Sequence, residues 1–157
     1  MEGLEGLLGG HPFFAGMDAA DLDEVVGCAT NVRFPAGEYL FHEGESADRF
    51  FIVREGRVAL EIYVPGRGPL VLDAAEAGEI AGLSWLFPPH RWQLDARAVE
   101  PVRAIAVDGV CLRAKCDANP KLGYALMQRL SEVSHRRMHS ARLRLIDAYT
   151  DAGRVSR

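Results

Sequence analysis

The pattern of apolar and polar residues changes twice along this chain of 157 residues. Between residues 11 and 30, apolar positions recur at helical spacing after Asp18, a typical N-cap residue. From residue 31 onward, short apolar runs alternate with turn segments such as PAG, EGES and PGRG. Such alternation is typical of hairpins in a β-sandwich or barrel. The pattern therefore predicts an N-terminal helical segment (1–30) followed by a β domain (31–107).

A helical period returns in the C-terminal third of the chain. Asp108 is a typical N-cap for a short helix, and Pro120 begins a longer segment that contains no further proline. A helix of about 28 residues there would extend about 42 Å, which exceeds what a domain of this size needs to cover its own sheet. We assign residues 108–149 to the C-terminal helices and residues 150–157 to a tail.

The length of this helix predicts that its distal half has a partner, and the simplest partner is the same helix of a second copy. Small side chains along the apolar face would permit close approach. We predict that the interface of a homodimer contains Leu130, Val133, Ser134, Met138, Ala141, Leu145 and Ala148. The alternative is a helix that folds back on its own barrel.

Composition excludes some partners. The net charge is -4, so no global positive field attracts nucleic acid, and a nucleic-acid partner is not expected. The chain has no 18-residue apolar run and no basic leader, so we expect no membrane partner and a cytoplasmic location.

The chemistry-bearing residues form no recognisable catalytic or metal-binding pattern. The three cysteines (Cys28, Cys111 and Cys116) are unpatterned, and we expect reduced thiols rather than disulfides or metal ligands. Lone histidines such as His11 and His42 are expected at the surface. We find no nucleophile–base or metalloprotease motif, so we predict neither an enzyme, a catalytic residue nor a metal site.

A run of residues with fixed spacing then carries a family resemblance. Its members are Pro35, Gly37, Leu40, Gly44, Ala47, Phe50, Phe51, Ile52, Gly56 and Val58. This run resembles the signature of cyclic nucleotide-binding domains, and the order of elements over residues 11–149 is similar to the sensor half of Crp/Fnr-type regulators. The resemblance implies a mainly β fold with flanking helices: a double-stranded β-helix, or jelly roll, of about eight strands, with short N-terminal helices and a long C-terminal helix.

In that family, a phosphate-binding cassette carries a Phe-Gly-Glu core, whose Glu accepts the ribose hydroxyl, and an Arg about ten residues later that pairs with the cyclic phosphate. Aligning Gly78 with the glycine before the core puts Ala81-Gly82-Leu83 in place of Phe-Gly-Glu. The phosphate arginine falls at Trp92 or Gln93. The resemblance therefore implies that a carboxylate and a cation are both missing.

Two residues could restore these charges. Arg91 lies one or two positions from the expected arginine, although a one-residue slip in a strand turns a side chain to the other face. Glu79 is a carboxylate four positions before Leu83. The candidate ligand-binding residues are Gly78, Glu79, Ala81, Gly82, Leu83, Ser84, Arg91, Trp92 and Gln93.

We therefore expect a stand-alone, non-enzymatic regulatory or scaffold module that does not bind cAMP tightly. It would act through an unidentified protein partner or an unidentified small ligand, such as one that is apolar or flat enough to stack on Trp92. In the scaffold version, the apolar residues Leu83, Trp85, Leu86, Phe87 and Trp92 fill the pocket.

Two further functions stay open. One is a genuine cAMP or cGMP sensor that regulates a separate effector, with the cyclic nucleotide as its ligand; otherwise no cofactor is expected. The other is a Crp/Fnr-type transcriptional regulator that lacks its own DNA-binding domain, because few residues follow Tyr149.

Overall fold

The protein is described here by a computed structural model that covers residues 3–155. Two short helices, α1 (Leu4–Gly9) and α2 (Ala19–Val26), flank a single 3₁₀ turn and precede the first strand. Two helices, α3 (Gly109–Ala118) and α4 (Pro120–Val155), follow the last strand. The strands between them are β1 (Ala29–Phe34), β2 (Tyr39–Phe41), β3 (Arg49–Glu55), β4 (Arg57–Val64), β5 (Gly68–Glu76), β6 (Ile80–Ala81), β7 (Asp95–Ala98) and β8 (Val102–Asp108).

The strands form two four-stranded antiparallel sheets. Their orders are β1-β8-β3-β6 and β2-β7-β4-β5, so most neighbours in a sheet are not consecutive in the chain. These crossovers between two facing sheets are those of a jelly roll. The fold confirms the predicted class, a mainly β double-stranded β-helix of eight strands with short N-terminal helices and a long C-terminal helix.

The strands are connected by turns at the positions that the glycines in the sequence predicted. The PGRG segment joins β4 to the first residue of β5, and the backbone N–H of Arg67 donates to the carbonyl of Val64 at 3.0 Å. Gly56 has a φ of +91°, and a Cβ there would lie 2.3 Å from the carbonyl oxygen of Pro101. Only glycine fits this tight passage between β3 and β4.

Strand β3 separates two apolar cores because its side chains alternate between the two faces of the sheet. Phe50 and Ile52 point to a core shared with α1, α3 and the first half of α4. Phe51 and Val53 point to a second core between the sheets, which also contains Phe41, Leu60 and Trp92. Both cores belong to one folding unit.

Helix α4 covers the first of these cores with only its N-terminal half. Leu122, Leu126, Leu130 and Val133 are buried there. Leu130 and Val133 were predicted to lie in a dimer interface, but they are 4% and 6% exposed because they pack against the chain's own core. The helix also continues to Val155, so the predicted tail is helical over residues 150–155, while residues 156–157 lie outside the described part. No helix among the described residues has the length and hydropathy needed to cross a bilayer.

Two predictions about reactive side chains were wrong. Cys28, at the start of β1, is joined by a disulfide to Cys111 of α3, and Cys116 is the free thiol of the described chain. The sequence could not indicate this pair because only the fold brings the start of β1 beside α3.

His11 is buried rather than exposed. Its Nε2 lies 3.0 Å from the carbonyl oxygen of Val53, and its Nδ1 accepts from the backbone N–H of Phe13 at 3.2 Å. Because both ring nitrogens have backbone partners, the neutral ring can be buried without loss of hydrogen bonds.

Candidate functional site

A cavity of about 260 Å³ lies between the β2-β7-β4-β5 sheet, the connection that follows β6, and α4. We call residues 78–93, which include this connection, the cassette segment. The cavity is lined by Phe41, Leu60, Leu72, Asp73, Gly82, Leu83, Ser84, Trp92, Gln93, Leu94, Arg137 and Ala141. Five of the nine predicted ligand-binding residues are among these: Gly82, Leu83, Ser84, Trp92 and Gln93.

One wall of the cavity is aromatic. The ring of Trp92 stacks on Phe41 with a centroid distance of 3.7 Å and an interplanar angle of 9°. The backbone of Gly82 approaches the same indole so closely that a Cβ at residue 82 would lie 2.8 Å from it. The indole is therefore held in place by Phe41 and by the backbone of Gly82, and it contributes an aromatic, apolar surface to the cavity.

The charges that the cassette needs for a cyclic nucleotide are absent from the predicted places. Leu83 lines the cavity where the resemblance expects a carboxylate, and Trp92 and Gln93 line it where the phosphate arginine is expected. Arg97, near the end of the segment's outgoing strand, forms a two-pronged ion pair with the buried Glu61 at 3.0 and 3.2 Å. That guanidinium is therefore already engaged.

Neither residue that could have restored the charges lines this cavity. Arg91 is exposed and donates from Nη1 to the carbonyl oxygen of Gly44 at 2.9 Å, in the turn between β2 and β3. Gly78 and Glu79 line a separate surface cavity of about 240 Å³ with Arg136. Ala81 is buried and pairs with Phe51 in the sheet.

The cassette segment does not fill its own cavity, contrary to the scaffold version of the prediction. Trp85 is buried in the other core, where it stacks on Phe50 at 4.8 Å, and Phe87 is 55% exposed. A short 3₁₀ helix, Ser84–Leu86, turns Trp85 away from the cavity toward α3. Of the five apolar residues predicted to plug the site, only Leu83 and Trp92 line it, and space remains between them and α4.

Sequence reasoning missed the cation that does line the cavity, Arg137 of α4. Its Nη2 donates to the backbone carbonyl oxygen of Ile80. Burial lowers the pKa of Arg137, and the negative charges of Asp73 and Glu79 act in the opposite direction. Arg137 follows the buried Val133 by one helical turn and precedes Ala141 by another, so its place on the buried face was the available signal.

Arg137 has no carboxylate within ion-pair distance among residues 3–155, whereas the carboxylate in the cavity is engaged elsewhere. Oδ1 of Asp73 accepts from the backbone N–H of Ala74 at 2.8 Å and lies 3.8 Å from Nη2 of Arg144. The cavity thus combines an apolar, aromatic interior with a half-buried guanidinium whose one hydrogen bond within residues 3–155 is to a main-chain carbonyl.

Comparisons with known proteins agree with this architecture. A model of the cyclic nucleotide-binding domain matches residues 31–119. A CRP-like cAMP-activated global transcriptional regulator of Mycobacterium tuberculosis is 26% identical over 98% of this chain and 68% of its own length.

Solved structures are similar as well. One described as a cyclic nucleotide-binding protein from Geobacter metallireducens is 29% identical, with a TM-score of 0.76 over 88% of this chain and all of the other. The sensor domain of the transcriptional regulator DNR from Pseudomonas aeruginosa is 22% identical, with a TM-score of 0.68 over 85% of this chain and 89% of that one, and shares the fold.

Proposed function

Because the chain belongs to the cyclic nucleotide-binding domain family and is a regulatory domain of the Crp/Fnr type, we propose that it is a non-enzymatic ligand sensor whose ligand is not cAMP. The ligand would occupy the cavity beside the cassette segment and change the position of α4, through which a partner is regulated. The observation that carries this proposal is the open, aromatic cavity that lacks both charged cassette residues.

The missing charges argue against tight binding of a cyclic nucleotide. Removing one partner of a buried charge pair costs about 2–5 kcal/mol, and each 1.4 kcal/mol is a factor of ten in affinity. A ribose hydroxyl without its acceptor costs about 1–3 kcal/mol more. At the place of the acceptor, Leu83 presents an apolar side chain to the ribose hydroxyl. The carboxylate that lines the cavity, Asp73, lies beside Arg144.

The position of α4 supports a sensing role over a passive scaffold. Arg137 and Ala141 contribute directly to the cavity wall, while the helix continues beyond the barrel for several turns. A ligand in the cavity would contact both the cassette segment and α4, so it would bind one arrangement of the helix better than another.

The exposed part of α4 supports dimerisation as the output. Met138 and Leu145, both predicted interface residues, are 51% and 56% exposed, and Ile146 and Tyr149 add to this surface. A second copy of the helix is the partner that symmetry favours. The cytoplasmic location remains a prediction.

Titration calorimetry on the full chain tests the proposal. We expect no saturable heat with cAMP or cGMP up to about 100 µM, since the loss of two polar contacts corresponds to several factors of ten. The related M. tuberculosis regulator, described as cAMP-activated, is the positive control. Saturable micromolar binding of either nucleotide to this chain would support the alternative, a cyclic nucleotide sensor with an unusual cassette.

A further inference from the structure

We propose that the ligand of this cavity is a compact organic anion, an aromatic or branched aliphatic monocarboxylate, with Arg137 of α4 as its cation. The inference rests on the proposed function and adds the chemical class of the ligand. It follows from three features: Arg137 has no ion-pair partner among residues 3–155, the cavity walls are mainly apolar, and the cavity is small.

The charge comes first. A guanidinium presents five N–H donors, and within residues 3–155 one nitrogen of Arg137 is used, since Nη2 donates to the carbonyl oxygen of Ile80. A cation lining an apolar cavity without a carboxylate partner is costly unless an anion arrives. Two parallel N–H···O bonds to a carboxylate are the geometry that arginine favours most.

The neighbouring charges leave Arg137 without a direct ion pair. Asp73 and Glu79 are the carboxylates whose charges act on Arg137, and Arg136 acts on it as a like charge. Asp73 lies beside Arg144, and Glu79 lines the neighbouring cavity with Arg136. Asp73 therefore has an arginine other than Arg137 within ion-pair distance, whereas no carboxylate of residues 3–155 lies within that distance of Arg137.

The walls select the rest of the ligand. Trp92 and Phe41 give one aromatic side, and Leu60, Leu72 and Leu83 give apolar sides. Ser84 and Gln93 are neutral polar groups, so they add hydrogen bonds but no second cation. An apolar or aromatic body with one anionic end matches this distribution, whereas a polyanion would leave charge unpaired.

The volume argues for a small molecule. Cavities that hold drug-sized ligands are typically about 300–1,000 Å³, and this one is about 260 Å³. A single ring or a short branched chain with a carboxylate suits that space better than a molecule carrying a base, a sugar and a phosphate.

The first experiment compares acids with their neutral counterparts on the unmodified full chain. Benzoate, indole-3-carboxylate and 4-methylpentanoate are titrated by calorimetry beside benzamide, indole-3-carboxamide and 4-methylpentanamide. We expect at least one acid to bind with a dissociation constant below 1 mM and its amide to bind at least about tenfold more weakly. Equal binding of acid and amide, or no binding of any acid at 5 mM, would overturn the inference.

The second experiment assigns the cation. Arg137→Gln should weaken binding of the best acid at least about tenfold and leave its amide nearly unaffected, because only the acid forms a charge pair with the guanidinium. Arg136→Gln is the matched control, since Arg136 lies next in the chain but lines the other cavity, and it should change affinity by less than twofold. Equal losses in the two variants, or none in Arg137→Gln, contradict the assignment.

The two proposals fail differently. Saturable binding of cAMP in a parallel titration refutes the proposed function. If neither cAMP nor any of the acids binds, only the proposed class of ligand, an organic anion, is refuted. The comparison of acid with amide on the unmodified chain does not depend on whether Arg137→Gln folds.

Discussion

At the scale of single residues, the positive charge of the cavity comes from α4 and not from the cassette segment, where the family resemblance expects an arginine. Leu83 supplies hydrocarbon from the cassette segment, and Arg137 supplies a cation from α4, where it also donates to the carbonyl oxygen of Ile80 in the cassette segment. A ligand that pairs with Arg137 would therefore be bound by α4 at the point where the helix contacts the cassette segment. The element that reports binding would also provide the strongest polar contact, which couples occupancy to the position of the helix.

Gly82→Ala should destabilise the fold and disturb the aromatic wall. Gly82 has a φ of +104°, and a Cβ there would meet the Trp92 ring at 2.8 Å, so backbone strain of about 1–3 kcal/mol adds to a steric clash of similar size. Gly37→Ala is the matched control, because its φ is +90° with nothing within 4 Å of the added carbon. Urea unfolding should show a loss at least about 1 kcal/mol larger for Gly82→Ala. Equal losses of unfolding free energy in the two variants would mean that the Trp92 ring moves to accommodate the added carbon at little cost.

His11 should make the fold less stable in mild acid. Burial lowers the pKa of His11 below its ordinary value of 6.5, so the unfolded chain takes up a proton more readily than the folded chain. The stabilisation from the neutral ring is complete above pH 6.5 and is lost as the pH falls below that value, by at most about 1.4 kcal/mol per pH unit. Protonation of Nδ1 would also remove the acceptor for Phe13.

Unfolding free energies at pH 7.5 and 5.5 test this dependence. His11→Gln should reduce the difference between the two values, whereas the same change at the exposed His139 should leave it as in the unmodified chain. A difference that is identical in His11→Gln and the unmodified chain would assign the acid sensitivity to other groups.

Residue-scale predictions succeeded where the cause was local. The turn positions of Gly37, Gly44 and Gly56 followed from sequence because a positive φ is a property of the turn itself, and all three have φ values near +90°. The environments of His11 and Arg137 did not follow, because each depends on a partner distant in the chain, Val53 and Ile80 respectively. In the sequence, the arginines of α4 are indistinguishable from a solvent-exposed helix face. Only the packing of α4 on the barrel shows that Arg137 lines a cavity.

At the scale of elements, the disulfide joins the start of β1 to α3 across 83 positions of sequence. Closing so long a loop restricts the unfolded chain, and the entropy model gives a stabilisation of about 4–5 kcal/mol as an upper value. The pair therefore ties the N-terminal helices and α3 to the same edge of the barrel.

Cys111→Ser should lower the free energy of unfolding by up to about 4 kcal/mol without reductant, because the cross-link is lost. In a reducing buffer the unmodified chain should lose most of this advantage. Cys116→Ser is the control, since Cys116 is free and its thiol has a pKa raised by burial; it should change stability by less than about 1 kcal/mol. Three alkylated thiols in the unfolded, unreduced chain would contradict the pairing.

The order of the elements was predictable because apolar residues recur at different spacings in strands and in helices. The path of the cassette segment was not predictable. Trp85 and Trp92 both looked like pocket residues in sequence. The 3₁₀ helix that starts at Ser84 sends Trp85 into the core under α3 and leaves Trp92 against Phe41. That division depends on long-range packing, which no local pattern encodes.

At the scale of the whole molecule, α4 has two different environments. Up to Val133 one apolar face of the helix completes the core of the barrel, and beyond Val133 the apolar side chains are largely exposed. Leu143, Leu145, Ile146 and Tyr149 are each at least 50% exposed within about two turns. The part of α4 beyond Val133, residues 134–155, would extend about 33 Å at 1.5 Å per residue, enough for an extended helix–helix contact.

Leu145→Glu should convert a dimer into a monomer. A second copy of α4 would bury Leu145 beside its own counterpart, and two carboxylates in that place would carry an unpaired, desolvated charge, so the dimer dissociation constant should rise at least about tenfold. Sedimentation equilibrium over about 1–100 µM measures this constant. Tyr63→Glu, which changes an exposed side chain on β4, is the control and should leave it within twofold. An unmodified chain that stays monomeric at 100 µM would reassign the exposed face of α4 to a different protein partner.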